Sequence, residues 1–311
     1  MGVGEQAITH LIPALLQLPE AQLVAVCDPD DARRTSTAAL LGVPGEYRDV
    51  DTLLGNLEVS ALVVACPPQA HERIAACAIE RKVPVFVEKP PAVTSAALVK
   101  LAADAEAAGV VTGVGMNFRH AATYLRLKEV LAGRGQPVSV TVRHVASKPK
   151  TPLWGLSLLR SFLLAQAIHP VDLLLDLGGP VEEVRTLRRV GGSDVLVNAQ
   201  LAFASGAFGS LLTSTHGARF DSRIEVVTDT GVTVSLVDLC KLTVAGVPAA
   251  GGPQGWLQQW RPSPLDTGYQ RTGFLGELAG FLTAVASGST FQPSLIDLLP
   301  TYEVLDTIEE G

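Results

Sequence analysis

The first third of the sequence alternates short β-branched runs with longer segments of helical spacing, and this alternation restricts the fold more than any other feature. Four apolar runs are long enough for strands and too short for most helices: 23–27, 61–65, 83–87 and 110–114. Segments with helical spacing lie near 8–18, 30–41, 69–80 and 95–108. This order predicts right-handed βαβ units and a parallel, doubly wound α/β sheet, which binds ligands beyond the carboxyl ends of its strands.

A glycine-rich turn opens the chain. The residues Gly2-Val3-Gly4-Glu5-Gln6-Ala7 match the pattern G-x-G-x-x-A and lead into a helical segment that begins near Ile8. Backbone amides and a helix N-terminus in this arrangement could hold a pyrophosphate. We therefore expect cofactor contacts from five residues of this turn: Gly2, Gly4, Glu5, Gln6 and Ala7.

An acid follows the next predicted strand. Asp28 lies 24 residues after Gly4, near the spacing at which a carboxylate accepts hydrogen bonds from the adenosine ribose hydroxyls. A carboxylate there repels a 2′-phosphate and favours NAD(H), whereas Arg33 and Arg34 on the following helix leave NADP(H) open. The alternative is that the glycines form an ordinary turn and Asp28 caps a helix that begins near Asp30.

The strand that should lead into the glycine turn is absent, because only Met1 precedes Gly2. In a doubly wound sheet the first strand is central, so its loss leaves its two neighbours with unpaired ladder groups or makes them pair directly. A sequence that starts late would explain the gap, and so would a natural loss that weakens cofactor binding. The sequence leaves both explanations open.

Motifs that follow the other strands resemble those of a known family. The segments that carry the resemblance are the glycine turn, Asp28, Cys66-Pro67-Pro68-Gln69-Ala70-His71, Glu88-Lys89-Pro90, Asn117-x-Arg119, His169-x-x-Asp172, and a late pattern from Gly276-Glu277 through Phe281 to Pro293 and Asp297. In this order they resemble the Gfo/Idh/MocA oxidoreductases, named after glucose–fructose oxidoreductase and inositol dehydrogenase. The resemblance covers almost the whole chain. It implies hydride transfer between a nicotinamide and a secondary alcohol or ketone of a sugar, sugar nucleotide or polyol.

Lys89 is the first predicted catalytic residue. A lysine directly after an apolar strand, followed by two prolines, has little conformational freedom and a partly desolvated ammonium. It could stabilise negative charge on a substrate oxygen, the role that the resemblance implies. The alternative is a lysine that pairs with Glu88 at a strand end. The resemblance also suggests a cis Lys89–Pro90 peptide, and we expect a cofactor site that includes Cys66, Pro67, His71, Glu88 and Lys89.

The remainder of the chain predicts a second α/β domain with a mostly antiparallel sheet. Strands are expected at 138–145, 194–203, 210–215, 222–228 and 233–237, with a helical segment at 158–177. We place the boundary so that 1–116 binds the dinucleotide and 117–311 binds substrate and forms oligomers.

His169, on the predicted helix at 158–177, is the second predicted catalytic residue. An imidazole has a pKa near working pH, and the resemblance implies that it exchanges a proton with the reacting oxygen. The alternative is a core histidine satisfied by a local carbonyl. Many family members carry an acid four residues before this histidine, whereas this chain has Ala165. The predicted substrate contacts are Lys89, Asn117, Arg119, Gln166, His169 and Asp172.

Composition limits the classes of partner. The formal net charge is -7 and no basic cluster is present, which argues against nucleic acid and anionic membranes. Four cysteines without CxxC spacing predict a reducing cytoplasm and no structural metal. We also expect no apolar stretch of the roughly 18–20 residues that cross a bilayer. By resemblance, a homodimer or homotetramer is expected.

Two other functions stay open at this point. One keeps the fold and changes the reaction to imine reduction or to a redox-assisted elimination or hydrolysis. The other is a non-catalytic binding or regulatory subunit, which retains the shape but binds the cofactor poorly after losing its first strand.

Overall fold

The computed structural model describes residues 1–247 and 256–311 and divides the chain into two compact units. The first unit comprises Met1–Asn117 and Phe274–Leu299, and the second comprises Phe118–Gly273 and Pro300–Gly311. The late segment therefore belongs with the N-terminal residues, although the sequence had grouped it with the second domain.

The first unit contains five short parallel strands in two separate sheets. They are β1 (Ala25–Cys27), β2 (Gly45–Tyr47), β3 (Leu62–Val64), β4 (Val85–Glu88) and β5 (Thr112–Gly115). Strand β1 pairs only with β2, and the other sheet has the order β3-β4-β5. All pairs are parallel, as the βαβ pattern predicts.

Helices connect these strands. A π-helical turn (Ala7–Leu11) continues as α1 (Ile12–Leu15) and is followed by α2 (Asp31–Leu41), α3 (Val50–Asn56), α4 (Pro68–Glu80), α5 (Ser95–Ala108) and, late in the chain, α10 (Phe274–Ser287). Asp30 caps α2 by accepting a hydrogen bond from the Arg33 N–H at 2.9 Å. The cap is thus Asp30 rather than Asp28.

An aromatic cluster joins α10 to the sheet of the first unit. The Phe86 ring on β4 lies 5.5 Å from the Phe281 ring and 6.4 Å from the Phe291 ring, measured between centroids. Gly113 on β5 leaves room for this packing, because a Cβ at that position would lie only 2.9 Å from Phe291 and 3.0 Å from Phe281. The late segment therefore completes the core of the N-terminal sheet.

A groove separates the two sheets of the first unit. It has a volume of about 1040 Å³ and is lined on its two sides by residues of β1 and β3. The backbone of Met1 and Gly2 bridges the groove at one end: Met1 bonds to Val63 and Ala65, and the Gly2 N–H donates to the Cys27 carbonyl. Strands β1 and β3 are thus left apart and do not pair with each other.

The second unit is built on an eight-stranded sheet. Its strands are β6 (Pro137–Val145), β7 (Val181–Gly191), β8 (Asp194–Phe203), β9 (Phe208–Ser214), β10 (Asp221–Thr228), β11 (Thr233–Val237), β12 (Lys241–Val247) and β13 (Trp256–Trp260). The order is β13-β12-β11-β10-β6-β9-β8-β7, and the pairs are antiparallel except β6 with β9. The predicted mostly antiparallel sheet is therefore confirmed.

The remaining helices of this unit are α6 (Ala122–Leu131), α7 (Leu158–Phe162), α8 (Ile168–Gly178), α9 (Gly268–Thr272) and α11 (Leu299–Glu310), the last beginning at the boundary between the units. A π-helical turn (Leu163–Ala167) joins α7 to α8, so that helical structure continues from Leu158 to Gly178. In the described part of the chain, this is the one helix long and apolar enough to cross a membrane, and 78% of its most apolar window is buried in the protein. We expected no such stretch; its apolarity is accounted for by its place in the core.

Candidate active site

Asp28 holds the glycine turn in place. Its Oδ2 accepts a hydrogen bond from the Val3 N–H, and its Oδ1 accepts one from the Asp30 N–H, both at 2.9 Å. The Arg33 guanidinium adds a contact of 3.2 Å to Oδ1. Burial acts to raise the pKa of Asp28, but these hydrogen bonds outweigh it and lower the pKa. Asp28 is therefore ionised at neutral pH and tied to the turn that precedes it by 24 residues.

The glycine turn has the features of a dinucleotide cradle. Gly2 has φ of +73°, and a side chain there would overlap the Ala65 carbonyl. Gly4 faces open space, with no atom within 4 Å of an added Cβ, so a ligand can approach its backbone closely. The first hydrogen bond of the following helix runs from the Ile8 N–H to the Gly4 carbonyl. The N–H groups just before Ile8 therefore make no hydrogen bond within the helix and form the kind of N-terminus that binds anions.

These residues fit the NAD that the sequence predicts. A carboxylate has about four acceptor sites, and Asp28 uses three within the protein, so one on Oδ2 remains for a ribose hydroxyl. Glu5 is exposed and Ala7 is buried, which leaves the backbone of the turn as the surface offered to a pyrophosphate.

His71 connects the turns that follow β3 and β4. Its Nε2 accepts a hydrogen bond from the Cys66 N–H at 3.0 Å, and its Nδ1 donates to the Pro90 carbonyl at 2.9 Å. Only a neutral ring with its proton on Nδ1 makes both bonds. Burial lowers the pKa of His71 to about 4. Both ring nitrogens bind the backbone, so His71 supports the turns. The cofactor contact that the sequence predicted for His71 would therefore have no ring nitrogen to use.

Pro67 and Cys66 have structural positions in the same turn. Pro67 is the N-cap residue of α4, and Pro68 occupies the first turn of that helix. Burial raises the pKa of the Cys66 thiol to about 11, so this thiol is neutral at physiological pH.

Glu88 links the end of β4 to the glycine turn. Its Oε1 accepts a hydrogen bond from the Gln6 amide at 3.1 Å, and its Oε2 accepts one from the Lys89 N–H at 3.1 Å. The carboxyl carbon lies against Gly115, where a Cβ would approach it to 3.0 Å. Burial raises the pKa of Glu88 more than its neighbours lower it. Glu88 is therefore a buried connection between two turns of the first unit.

Lys89 follows β4 directly, as predicted. It is half-buried, and burial lowers the pKa of its ammonium while the Glu88 carboxylate opposes that effect. The Lys89–Pro90 peptide is cis, as the resemblance suggests. The structure therefore connects the backbone at Lys89 to the glycine turn through the contacts Gln6–Glu88–Lys89.

Glu277 is a buried carboxyl for which the sequence predicted no chemical role. It lies on α10, one turn before Phe281, and is 0% exposed. Neither carboxyl oxygen has a hydrogen-bond partner. Burial raises the pKa of Glu277 well above its usual range, and the charge of Glu88 raises it further. Burial therefore favours the protonated form of Glu277.

In the second unit, His169 lies in a group of aromatic rings. Its imidazole stacks on the Phe118 ring with centroids 4.3 Å apart and an interplanar angle of 25°. Phe118 also contacts His144 on β6 at 6.0 Å, and His144 meets Phe220 edge-on at 5.1 Å. His169 is buried on α8, which follows the π-helical turn, and such turns are frequent at functional sites. The sequence did not predict the parts played by Phe118 and His144, since stacking depends on tertiary structure.

Arg119 and Asp172 bind each other, and this changes the interpretation of both residues. Nε and an amino nitrogen of Arg119 donate to the two Asp172 oxygens, each at 2.7 Å, and the second amino nitrogen reaches Asp176 at 3.1 Å. Tyr124 and Lys128 also donate to Asp176. Burial acts to lower the pKa of the Arg119 guanidinium, but the carboxylates of Asp172 and Asp176 outweigh this effect and raise the pKa. Arg119 and Asp172 are therefore engaged with each other, and the substrate contacts predicted for them stay a prediction.

Two other predicted substrate contacts occupy different settings. Gln166 lies in the π-helical turn before His169, and its buried amide nitrogen has no hydrogen-bond partner, which leaves a donor for a ligand. Asn117 is buried at the start of a 3-10 turn (Asn117–His120), at the end of the N-terminal part of the first unit. Gln166 is therefore the better supported of the two.

Comparisons with known proteins agree with the motifs. Residues 1–116 match a family model described as "Oxidoreductase family, NAD-binding Rossmann fold", and residues 124–234 match the GFO/IDH/MocA C-terminal domain. A myo-inositol 2-dehydrogenase of Thermotoga maritima is 26% identical over an alignment that covers 100% of this chain and 95% of the relative.

Solved structures show the same similarity. A dehydrogenase from Chromobacterium violaceum is 36% identical, with a TM-score of 0.95 over 99% of this chain and 93% of the other. An oxidoreductase from Agrobacterium radiobacter, in complex with NAD+, L-tartaric acid and magnesium, has a TM-score of 0.84 over 99% and 94% of the two chains. At 20% identity, this second structure supports the fold alone.

Proposed function

The chain belongs to the Gfo/Idh/MocA family of NAD-binding oxidoreductases, and on that premise we propose that it is a dehydrogenase of polyols or sugars in which Lys89 and His169 are catalytic. The full-length similarity to an inositol 2-dehydrogenase supports a polyol as the substrate class. The reaction interconverts a secondary alcohol and its ketone.

Lys89 acts on the substrate oxygen. Bound NAD supplies the acceptor of the hydride that leaves the carbinol carbon. The Lys89 ammonium donates a hydrogen bond to the oxygen on that carbon and stabilises its negative charge as the carbon–hydrogen bond breaks. The lowered pKa of Lys89 also makes it easier for the amine to exchange a proton near neutral pH.

His169 takes the hydroxyl proton. Its ring is held against Phe118, which restricts the imidazole to one plane and limits the access of water. Gln166 contributes its unused amide N–H to a substrate hydroxyl, because that donor lacks a partner within the protein. The hydrogen bonds between Arg119 and Asp172 attach the turn that carries Phe118 to α8. They therefore help to position His169 through its stacking partner Phe118.

One observation carries the proposal: Lys89 adjoins the cofactor turn within a single compact unit. The Gln6 amide and the Lys89 N–H both donate to the same Glu88 carboxylate. Since Gln6 belongs to the turn that fits a dinucleotide, the Glu88 carboxylate connects the backbone at Lys89 to the proposed cofactor site, which supports a role for Lys89 beside the nicotinamide.

The test combines cofactor binding with turnover. We expect NADH to saturate the protein in a fluorescence titration, and NAD+ to be reduced in the presence of one or more polyols from a panel that includes myo-inositol. Lys89→Ala should lower kcat by at least about 100-fold and leave the NADH dissociation constant within about twofold. Lys100→Ala, at a lysine exposed on α5, is the matched control and should behave as wild type.

Two outcomes would contradict these assignments. Full turnover by Lys89→Ala would remove the lysine from the mechanism. A protein that binds NADH but oxidises no polyol or sugar in the panel would contradict the substrate class.

We infer a homo-oligomer in the cytoplasm. One face of the second unit's sheet is covered, as the alternating burial of β8 and β10 indicates. The other face exposes large apolar side chains: Phe208 on β9 is 68% exposed and Leu187 on β7 is 78% exposed. Exposed apolar surface of this kind supports association with another copy.

A further inference from the structure

One face of the sheet β3-β4-β5 places a carboxyl next to the aromatic cluster. Phe86 and Glu88 lie two residues apart on β4, so their side chains point to the same face. Their registered partners on β5 are Gly113 and Gly115. A Cβ at Gly113 would meet the ring of Phe281, and a Cβ at Gly115 would lie 3.0 Å from the Glu88 carboxyl carbon. The Glu88 carboxyl therefore lies on the face that α10 covers.

Two ring contacts give the direction of α10 on this face. Its first residue, Phe274, stacks on His10 with centroids 4.7 Å apart and an interplanar angle of 5°. His10 belongs to the π-helical turn after the glycine turn, which contacts the carboxyl end of β4. Seven residues after Phe274, Phe281 packs on Phe86, nearer the start of β4. Helix α10 therefore runs opposite to β4.

The spacing along the two elements brings Glu277 to Glu88. Glu277 precedes Phe281 by four residues, or about 6 Å of helix, and Glu88 follows Phe86 by two residues, or about 7 Å of strand. Because Phe281 packs on Phe86, the side chain one turn earlier on α10 comes opposite Glu88. The effect of the Glu88 charge on Glu277 agrees with this placement.

The two buried carboxyls differ in their other contacts. Glu88 accepts hydrogen bonds from the Gln6 amide and the Lys89 N–H, and the Lys89 ammonium favours its ionised form. Neither Glu277 oxygen accepts a hydrogen bond from the described part of the chain. Two ionised carboxylates would repel each other, and neither would offer a donor. A protonated Glu277 can instead donate to Glu88, which keeps about two acceptor sites unused.

We propose that Glu277 is a positioning residue, whose carboxyl carries a proton that it donates to Glu88. The Glu88 carboxylate is then fixed from α10, and it holds the Gln6 amide and the Lys89 N–H in place. Gln6 is the N-cap residue of the π-helical turn, so its backbone is part of the surface offered to a pyrophosphate. The consequence for cofactor binding rests on the proposed function, whereas the shared proton does not.

Three variants separate this role from a general contribution to stability. Glu277→Gln keeps a donor toward Glu88, and Glu277→Leu has a similar size but no donor. Leu98→Ala removes a buried side chain from α5 of the same unit, so it lowers stability without touching the two carboxyls.

The first readout detects the proton itself and needs no cofactor. Infrared spectra of protein with ¹³C-labelled glutamate carboxyls should show the C=O band of a protonated carboxyl at pH 7.5 in wild type and in Leu98→Ala. Glu277→Gln and Glu277→Leu should lack this band. A wild type without the band, or a band that persists in Glu277→Gln, would overturn the proposal.

The second readout follows the glycine turn, also without cofactor. Hydrogen exchange in a peptide that covers Val3–Ala7 should be at least about tenfold faster in Glu277→Leu than in wild type, and within about threefold of wild type in Glu277→Gln and Leu98→Ala. Equal acceleration by Glu277→Leu and Leu98→Ala would show that Glu277 contributes only to stability, and unchanged exchange in Glu277→Leu would also contradict the proposal.

The third readout measures the consequence for the cofactor. Glu277→Leu should raise the NADH dissociation constant at least about tenfold, because the turn is no longer held in its binding geometry, and Glu277→Gln should restore it to within about threefold of wild type. An unchanged dissociation constant in Glu277→Leu would contradict this consequence. A wild type that binds no NADH would refute the proposed function instead, while the band and the exchange rates still decide the role of Glu277.

Discussion

His71 shows how the protonation state of one residue is coupled to the geometry of two turns. The ring joins the backbone at Cys66 to the backbone at Pro90, and a proton added to Nε2 would break the bond that Cys66 donates. The neutral form is therefore part of the folded structure of the first unit.

We predict that His71 makes the protein less stable as the pH falls from about 6.5 to about 4. The pKa of His71 is about 4 in the folded protein, whereas an unfolded histidine titrates near 6.5. The unfolded state binds more protons within this window, so stability is lost as pH falls, by up to about 3 kcal/mol. Urea unfolding at several pH values will measure the slope.

The matched variant is His71→Gln, which lacks a titrating ring. It should be less stable than wild type at pH 7.5, where the two native hydrogen bonds are intact, and its stability should depend less on pH between 6.5 and 4. Equal slopes for the two proteins would exclude His71 as the group responsible.

Glu277 leads to a prediction with the opposite sign. Its pKa is raised in the folded protein, so above the usual pKa of a glutamate the unfolded state releases a proton that the folded state keeps. Stability is consequently lost as pH rises. Glu277→Gln, which keeps the shape and cannot ionise, should be stabilised relative to wild type at pH 8, and this gain should diminish toward pH 4.5. A gain that is constant across this pH range would show that Glu277 does not titrate as described.

At the scale of residues, sequence reasoning found the groups whose position follows from strand ends. Asp28 and Lys89 each come directly after a parallel strand, which is where doubly wound folds place their ligand-binding residues. Sequence reasoning could not find Glu277, because the proximity of Glu277 to Glu88 depends on the packing of α10 against a strand that lies some 190 residues earlier in the sequence. It also did not predict that Arg119 and Asp172 bind each other, since mutual pairing cannot be distinguished from ligand binding by residue type.

At the scale of helices and strands, the ion pair between Arg119 and Asp172 attaches the turn that contains Phe118 to α8. We predict that Asp172→Ala lowers the free energy of unfolding by about 3–5 kcal/mol, because it leaves a buried guanidinium without its bidentate partner. Glu129→Ala removes the partner of Arg126 in an exposed pair on α6 and should cost about 0–1 kcal/mol. Urea denaturation of both variants will compare them.

A second measurement separates this role from a general loss of stability. Asp172→Asn keeps one acceptor and should recover part of the lost stability, together with part of kcat. If Asp172→Ala and Glu129→Ala destabilise the protein equally, Asp172 does not have the structural role assigned to it.

Two of the elements that the sequence missed lack an apolar pattern. Strand β2 (Gly45–Tyr47) is three residues long and includes an exposed glutamate, so no run of apolar residues marks it. Strand β7 (Val181–Gly191) lies at the edge of its sheet and is largely exposed, with several charged side chains that discourage pairing with other chains. By contrast, Asp194–Phe203 and Thr233–Val237 alternate and were predicted with their observed bounds.

For the whole molecule, the open face of the second unit's sheet predicts self-association. The chain has a mass of 32.6 kDa, and light scattering at micromolar concentration should give about twice or four times that value. Phe208→Asp should raise the dissociation constant of the oligomer at least about tenfold, since it places a charge in an apolar contact.

Leu40→Asp is the control for this variant. Leu40 is 80% exposed on α2, in the first unit, and the charge there should leave the measured mass unchanged. A monomeric wild type, or equal dissociation of both variants, would show that this face of the sheet is not the interface.

The discontinuity of the first unit has a consequence for biosynthesis. A ribosome delivers the N-terminal residues first, yet the rings of Phe281 and Phe291 that pack on Phe86 emerge only about 200 residues after it. Part of the apolar surface of the nascent N-terminal sheet therefore stays uncovered until residues 118–273 of the second unit have been made. Chaperones that recognise exposed apolar segments would thus have their longest opportunity to bind at this sheet, and a message truncated before codon 274 would encode a chain that cannot finish either unit.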